Sequence, residues 1–232
     1  CCLAIAGAIP QGLEEILSNS QLAALDEITT EGVDPACRPN LSFRKGRLEI
    51  QVPRLESTRL LMTWPMPPAR NQEMVMGADL VTTLLAEGRR SRLVHQLREE
   101  LQIVESIDMD ITVLEQGSLV LLEACCQEKQ LKRVEKEIHN LLQASLASTP
   151  KNQEIERARQ LISNGLCFSL EAASQVAGIA GNQALWNRPQ PLLAPLKHLS
   201  TWTPERLHKE ILPLLQPEHS FTLIARPMEA GQ

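Results

Sequence analysis

Five histidines, six cysteines and 28 acidic residues give this 232-residue chain the raw material for a metal site, so spacing decides whether one is encoded. On stretches with helical periodicity, His95 and Glu99 stand four apart, as do Glu135 and His139, while Glu205 and His208 stand three apart. Each pair shares a helix face, but each lacks a third ligand. The sequence holds neither His-Glu-x-x-His nor the inverted His-x-x-Glu-His, so the pairs read as solvated polar faces. None of Cys1, Cys2, Cys37, Cys125, Cys126 and Cys167 stands in a Cys-x-x-Cys arrangement. That argues against a zinc ribbon or a thioredoxin-type pair, and the six read as reduced thiols packed as small hydrophobes. A Gly-x-Ser-x-Gly elbow and a phosphate-cradling glycine loop are also missing. What remains is cationic: Arg89, Arg90 and Arg92 follow Gly88 in what reads as an exposed turn, and Arg98 lies on the amphipathic stretch beyond.

Composition narrows the partners. The net charge is −5, 43% of residues are hydrophobic, 3% are aromatic, and tyrosine is absent. A mildly acidic chain without long charge runs is no nucleic-acid or anionic-membrane binder. Three Phe and three Trp offer little for base stacking, and phenol chemistry is excluded. The apolar start, Cys1 to Ile9, is too short to span a bilayer and lacks the basic flank of a signal peptide. A chain opening on Cys1 rather than Met reads as a fragment or processed form. Reduced thiols without a signal lean towards a cytoplasmic setting.

The elements that must position these residues follow from periodicity. Residues 2–8 read as a buried strand and Gln11 to about Ile28 as a helix broken near Asn19. A polar loop covers 29–43, with Gly32, Pro35 and Pro39. Arg47–Val52 alternates as a half-buried strand, and Thr58–Trp64 is a second, closed by Pro65, Pro67 and Pro68. A helix from Ala69 to Glu87 stops at Gly88, and Ser91–Glu100 forms a short amphipathic helix with Leu93, Val94 and Leu97 inward. Ile103–Leu114 and Ser118–Cys125 pair around Gln116-Gly117. Lys129–Leu146 is a strong helix; the next, capped by Asn152, extends towards Trp186. A proline loop (Pro189, Pro191, Pro195) precedes a helix capped by Thr203 with Pro204 at its first position, and Ser220–Ala225 closes as a strand. This order predicts an α+β fold: a layered, mostly antiparallel sheet with helices on one face. The chain reads as one domain over 1–232, with an opening strand and helix at 1–28, a loop at 29–43 and the main body at 44–232.

One stretch says more. Leu84-Leu85-Ala86-Glu87-Gly88-Arg89-Arg90-Ser91-Arg92-Leu93, then Leu97-Arg98-Glu99-Glu100-Leu101, resembles the C-terminal domain of pitrilysin/insulinase-type zinc metallopeptidases, in the branch that includes mitochondrial processing peptidase. Cys2–Gly7, Leu60–Pro68, Glu154-Ile155-Glu156-Arg157-Ala158 and Thr203–Pro227 resemble further family segments in the same order.

The resemblance implies two homologous halves facing each other around a peptide-sized chamber. One half carries zinc and a general-base Glu; the other closes the chamber. Lacking the zinc motif, this chain resembles the closing half: non-catalytic and inactive alone, without a cofactor of its own, with zinc in the partner domain or subunit. It implies substrate contacts from Ser91, Arg92, Arg98 and Glu105 to an unstructured peptide. Active relatives place a Tyr seven residues after the Arg; here that position holds Glu105, which cannot stabilise an oxyanion when ionised. The alternative is a structural or assembly domain of the same family with no peptidase role. An isolated half exposes the face meant for its partner, so a homodimer is also expected.

Overall fold

A computed structural model describes residues 2–24, 42–185 and 190–228. Leu25 and Ile28 of the first predicted helix, most of the 29–43 loop, Cys1, Cys37, Trp186 and Pro189 lie outside the described residues. The chain divides into two compact units, one of residues 41–163 and 195–232 and one of residues 1–40 and 164–194.

The larger unit is built on a five-stranded sheet. Its strands are β1 (Gly46–Val52), β2 (Thr58–Met66), β3 (Ser106–Thr112), β4 (Ser118–Cys126) and β5 (Phe221–Pro227), in the spatial order β1-β5-β2-β4-β3. The β1–β5 pair is parallel and the others are antiparallel. Around it run helices α2 (Gln72–Ala86), α3 (Leu131–Ala147), the start of α4 (Asn152–Ser169), α6 (Ala194–Ser200, whose first residue falls in the smaller unit) and α7 (Pro204–Glu210).

The strand period of two sends Leu60, Met62 and Trp64 of β2, with their partners Val120, Leu122 and Ala124 of β4, to one face. Each of these is 0% exposed. They join Leu80, Leu84 and Leu85 of α2 and Val134, Ile138 and Leu142 of α3 in one core. Trp64 donates its Nε1–H to the Gln216 carbonyl at 2.8 Å, so its one polar atom is satisfied. Gly77 of α2 makes room for the Trp202 indole; a Cβ there would lie 2.4 Å from the ring. Trp202 in turn donates to the Glu73 carbonyl at 3.0 Å and carries the Arg206 guanidinium 4.1 Å above its ring.

The opposite sheet face is different in kind. Leu48 and Ile50 of β1, Leu223 of β5, Leu61 of β2 and Leu121 of β4 share it, and all are half-buried or exposed. The half-buried reading of β1 is corrected: Leu48 is 49% and Ile50 38% exposed. Its other face is polar, where Arg47 reaches Glu135 of α3, and Arg226 of β5 pairs with Glu49 and with Glu128.

Several helices depart from expectation. The helix from Asn152 is interrupted: Leu170 N–H reaches back to the Leu166 and Cys167 carbonyls and the Ser169 hydroxyl bonds Leu166 O at 2.7 Å, ending α4 before α5 (Ala173–Leu185) begins. Asn152 is already helical rather than a cap; Glu154 instead accepts the Lys151 N–H at 2.8 Å. α6 forms inside the expected proline loop, with Pro195 in its first turn, where a missing N–H costs nothing. Thr203 caps α7 as expected, accepting from the Arg206 N–H at 3.2 Å.

The smaller unit holds α1 (Leu13–Ser18), a 3₁₀ turn at Gln21–Ala24, the end of α4 and α5. The break near Asn19 is present, Asn19 being the C-cap of α1. Residues 2–8 form no strand, correcting the buried-strand expectation. Among its described residues, nothing in 2–24 or 164–185 is fully buried. No described helix is long and apolar enough to cross a membrane.

Candidate functional site

The expected contact residues all lie on the path from the end of α2 to the start of β3. Gly88 takes φ +78°, a left-handed turn that suits glycine. Arg157 of α4 donates to the Glu87 carbonyl at 2.9 Å, satisfying one of the helix's terminal acceptors. Ser91 turns the chain again, its N–H and its hydroxyl both bonded to Gly88 O, at 3.0 and 2.7 Å. It is 0% exposed, so its hydroxyl is spent on the turn.

Arg92 points back into the helices. Its guanidinium grips both Glu154 oxygens, at 2.7 and 2.9 Å, and donates to the Ser145 hydroxyl at 3.0 Å. This fork ties α3 and α4 to the turn. The hydrogen bond from Arg92, ahead of the partial burial that opposes it, holds the Glu154 carboxyl below its usual range. Ser91 and Arg92 therefore position the segment beyond them.

That segment is a π-helix, Val94–Glu100, rather than the expected ordinary helix. Leu101 N–H bonds Gln96 O at 2.9 Å, five residues back. The wider turn still buries Val94 and Leu97. Arg98 is left on the solvent side, its side chain 39% exposed, donating to Glu99 Oε1 at 3.0 and 2.8 Å. Of the pairs flagged by spacing, His95 sits 3.4 Å from Glu100 rather than on Glu99, and Glu135 serves Arg47.

Gln102, at φ +52°, reverses the chain into β3. Glu105 N–H bonds the Cys125 carbonyl at 2.8 Å, and its carboxylate accepts from Ser57 Oγ at 3.0 Å and from Cys125 Sγ at 3.4 Å. Burial, and then the Glu105 carboxylate, push the Cys125 thiol up, which keeps it un-ionised. Cys125 is on the open sheet face, so Glu105 stands at one end of that face beside Arg59, which pairs with Glu123. Arg98 is half-buried and Glu105 exposed, and the two are not bonded to each other.

Sequence reasoning missed the open face itself. Its signal was in view: β2 (Leu60-Leu61-Met62), β4 (Leu119-Val120-Leu121-Leu122) and β5 (Leu223-Ile224) carry apolar runs rather than clean alternation, the mark of strands that are covered on both sides. Among the described residues, no three His, Cys, Asp or Glu are grouped so as to hold a metal ion.

A family model, the peptidase M16 inactive domain, matches residues 1–162. No curated protein matches. Among solved structures, the chain is similar to a protease from Helicobacter pylori, with a TM-score of 0.76 at 17% identity over 96% of this chain and 54% of that one. It is similar to a peptidase M16 inactive domain from Pseudomonas fluorescens, with a TM-score of 0.68 at 16% identity over 82% and 45%. A third likeness is to the inactive peptidase domain of a candidate zinc protease from Bordetella parapertussis, with a TM-score of 0.67 at 17% identity over 78% and 97%. The chain spans about half the length of the first two. At these identities the structures speak for the α+β fold, and the family model, matched across more than half of the residues, speaks for descent: the chain belongs to the peptidase M16 inactive-domain family.

Proposed function

We propose that residues 1–232 form the non-catalytic half of a zinc-dependent peptidase, walling a chamber and contacting peptide opposite a zinc-bearing half. The observation that carries this is the open sheet face. Leu48 and Ile50, exposed, and Leu61, Leu121 and Leu223, half-buried, form an apolar floor, and Arg59, Glu123 and Glu105 stand at its end. A floor of apolar side chains with a few polar groups suits an extended peptide. In this reading Arg98 donates to a substrate carbonyl and Glu105 accepts from a substrate N–H or cation, while Ser91 and Arg92 hold the segment that carries Arg98. Zinc and the general base belong to the partner half. The Ser91-Arg92-Leu93 and Leu97-Arg98-Glu99 runs favour the branch that includes mitochondrial processing peptidase.

The test pairs the chain with its zinc-bearing half and titrates an unstructured peptide. Arg98→Ala weakens binding by about tenfold, since a charge-assisted hydrogen bond contributes about 1.5 kcal/mol, and the chain alone with zinc shows no turnover. Equal binding by wild type and Arg98→Ala removes Arg98 from the contact set. Arg98 is already engaged by Glu99, which favours the second reading, an assembly domain without peptide contacts. That reading gains if no peptide binds at all.

A further inference from the structure

One recess in the larger unit belongs to neither the core nor the open sheet face. A cleft of about 570 Å³ opens between the segment that runs from Arg90 to Gln96 and the C-terminal half of α3. Its volume is that of a small-molecule site. The two walls differ in chemistry. One carries Arg90, Arg92, His95 and Gln96; the other carries Leu141 and Ala144, with Ser145 and Ser148 beside them. The Ser145 and Ser148 hydroxyls donate to the Leu141 and Ala144 carbonyls at 2.8 and 3.0 Å, so the donors left for a ligand stand on the first wall.

Those donors are unevenly committed. Arg90 is exposed and, among the described residues, pairs with no carboxylate. Arg92 has five N–H groups; two are on Glu154 and one is on Ser145, and the others are uncommitted. His95 is exposed and turns Nδ1 to Glu100 at 3.4 Å, which leaves Nε2. Guanidinium forks match the oxygens of a phosphate. A phosphoryl group offers three acceptor oxygens, one for each of these three side chains, where a carboxylate offers two.

We infer that this cleft binds a soluble phosphate monoester with an apolar body. The phosphoryl oxygens accept from Arg90, Arg92 and His95, and the body lies against Leu141 and Ala144. The lining residues all belong to the larger unit of this chain, so the inference does not depend on the two-half reading above.

Calorimetric titration of the full chain with phenyl phosphate tests this. Wild type binds with a Kd below about 1 mM, more weakly as salt is raised. Binding is about threefold or more tighter than that of inorganic phosphate, which lacks the apolar body. Arg90→Gln weakens it by about tenfold. Glu100→Gln removes a carboxylate that competes for His95 and tightens it by about threefold. Arg44→Gln, an exposed cation outside the cleft, leaves it unchanged. Arg44, Arg90 and Glu100 are all exposed, so the variants keep the fold. Equal binding by wild type and Arg90→Gln overturns the inference, as does an equal loss in Arg44→Gln. So does acetate or inorganic phosphate binding as tightly as the ester. If vesicles of phosphatidic acid and phosphatidylcholine sediment the chain while phenyl phosphate does not bind, the surface meets a membrane rather than a soluble ester, and the inference is overturned.

Discussion

The two faces of the sheet are drawn from the same strands, yet they carry different duties. On the covered face, Leu60, Met62 and Trp64 are 0% exposed. On the open face, one residue along each strand, Leu48, Leu61 and Leu223 keep contact with solvent. The first face fixes the fold and tolerates little. The second keeps its apolar side chains half-buried or exposed, and substitutions there are expected to cost less. The buried and the solvent-facing side chains are thus separated by the two-residue period, not by distance along the chain.

This contrast can be broken from its strongest side first. Trp64→Ala empties the centre of the covered face and is expected to cost about 3–5 kcal/mol, read as a fall in the urea midpoint. Gly77→Ala drives a methyl into the Trp202 indole, 2.4 Å away, and costs about 1–3 kcal/mol or more by overpacking. A small effect from either would mean that the helix layer is loose.

Asp79 of α2 sharpens the contrast by showing that the packed side also holds a misfit. Burial first, then the Glu87 and Asp110 carboxylates, raise its carboxyl to about 6. Its folded-state value lies above the unfolded one, so the folded state holds the proton more tightly. The stability this gives is present below pH 4 and is lost as pH rises from about 4 through 6. Asp79→Asn removes that dependence and stabilises the protein at pH 7 by about 2 kcal/mol, seen by comparing denaturation at pH 4 and pH 7. A wild-type protein of equal stability at both would place Asp79 in water. The smallest effect belongs to the open face. Leu48→Ser/Ile50→Ser shifts stability by less than about 0.5 kcal/mol per residue, while peptide binding by the chain joined to its zinc-bearing half, followed by titration, weakens. A large loss of stability would show that this face is structural after all.

Legibility in the sequence followed the range of the interaction. The stop of α2 at Gly88, the Thr203–Pro204 start of α7 and the pairing of β3 with β4 around Gln116-Gly117 rest on neighbours in the chain, and the sequence names them. The position of Arg92 rests on Glu154, 62 residues away, and no local pattern announces it. The π-helix shares the apolar spacing of an ordinary helix until its hydrogen bonds are counted. α6 hid among prolines, because Pro195 breaks a helix interior but not a first turn. Residues 2–8 read as a buried strand because their composition is that of one, yet they form no strand and none of them is fully buried.

The place of β5 has a consequence in time. β1 has one neighbour among the described strands, β5, the last of those strands along the chain: Gly46 aligns with Phe221. On a ribosome adding about 5–20 residues per second, β1 waits on the order of ten seconds or more for its ladder, with its backbone N–H and C=O groups unpaired throughout. The sheet therefore closes only as synthesis nears the end of this sequence, and a nascent chain arrested before Phe221 presents an unpaired, apolar β1 to whatever chaperone is nearest.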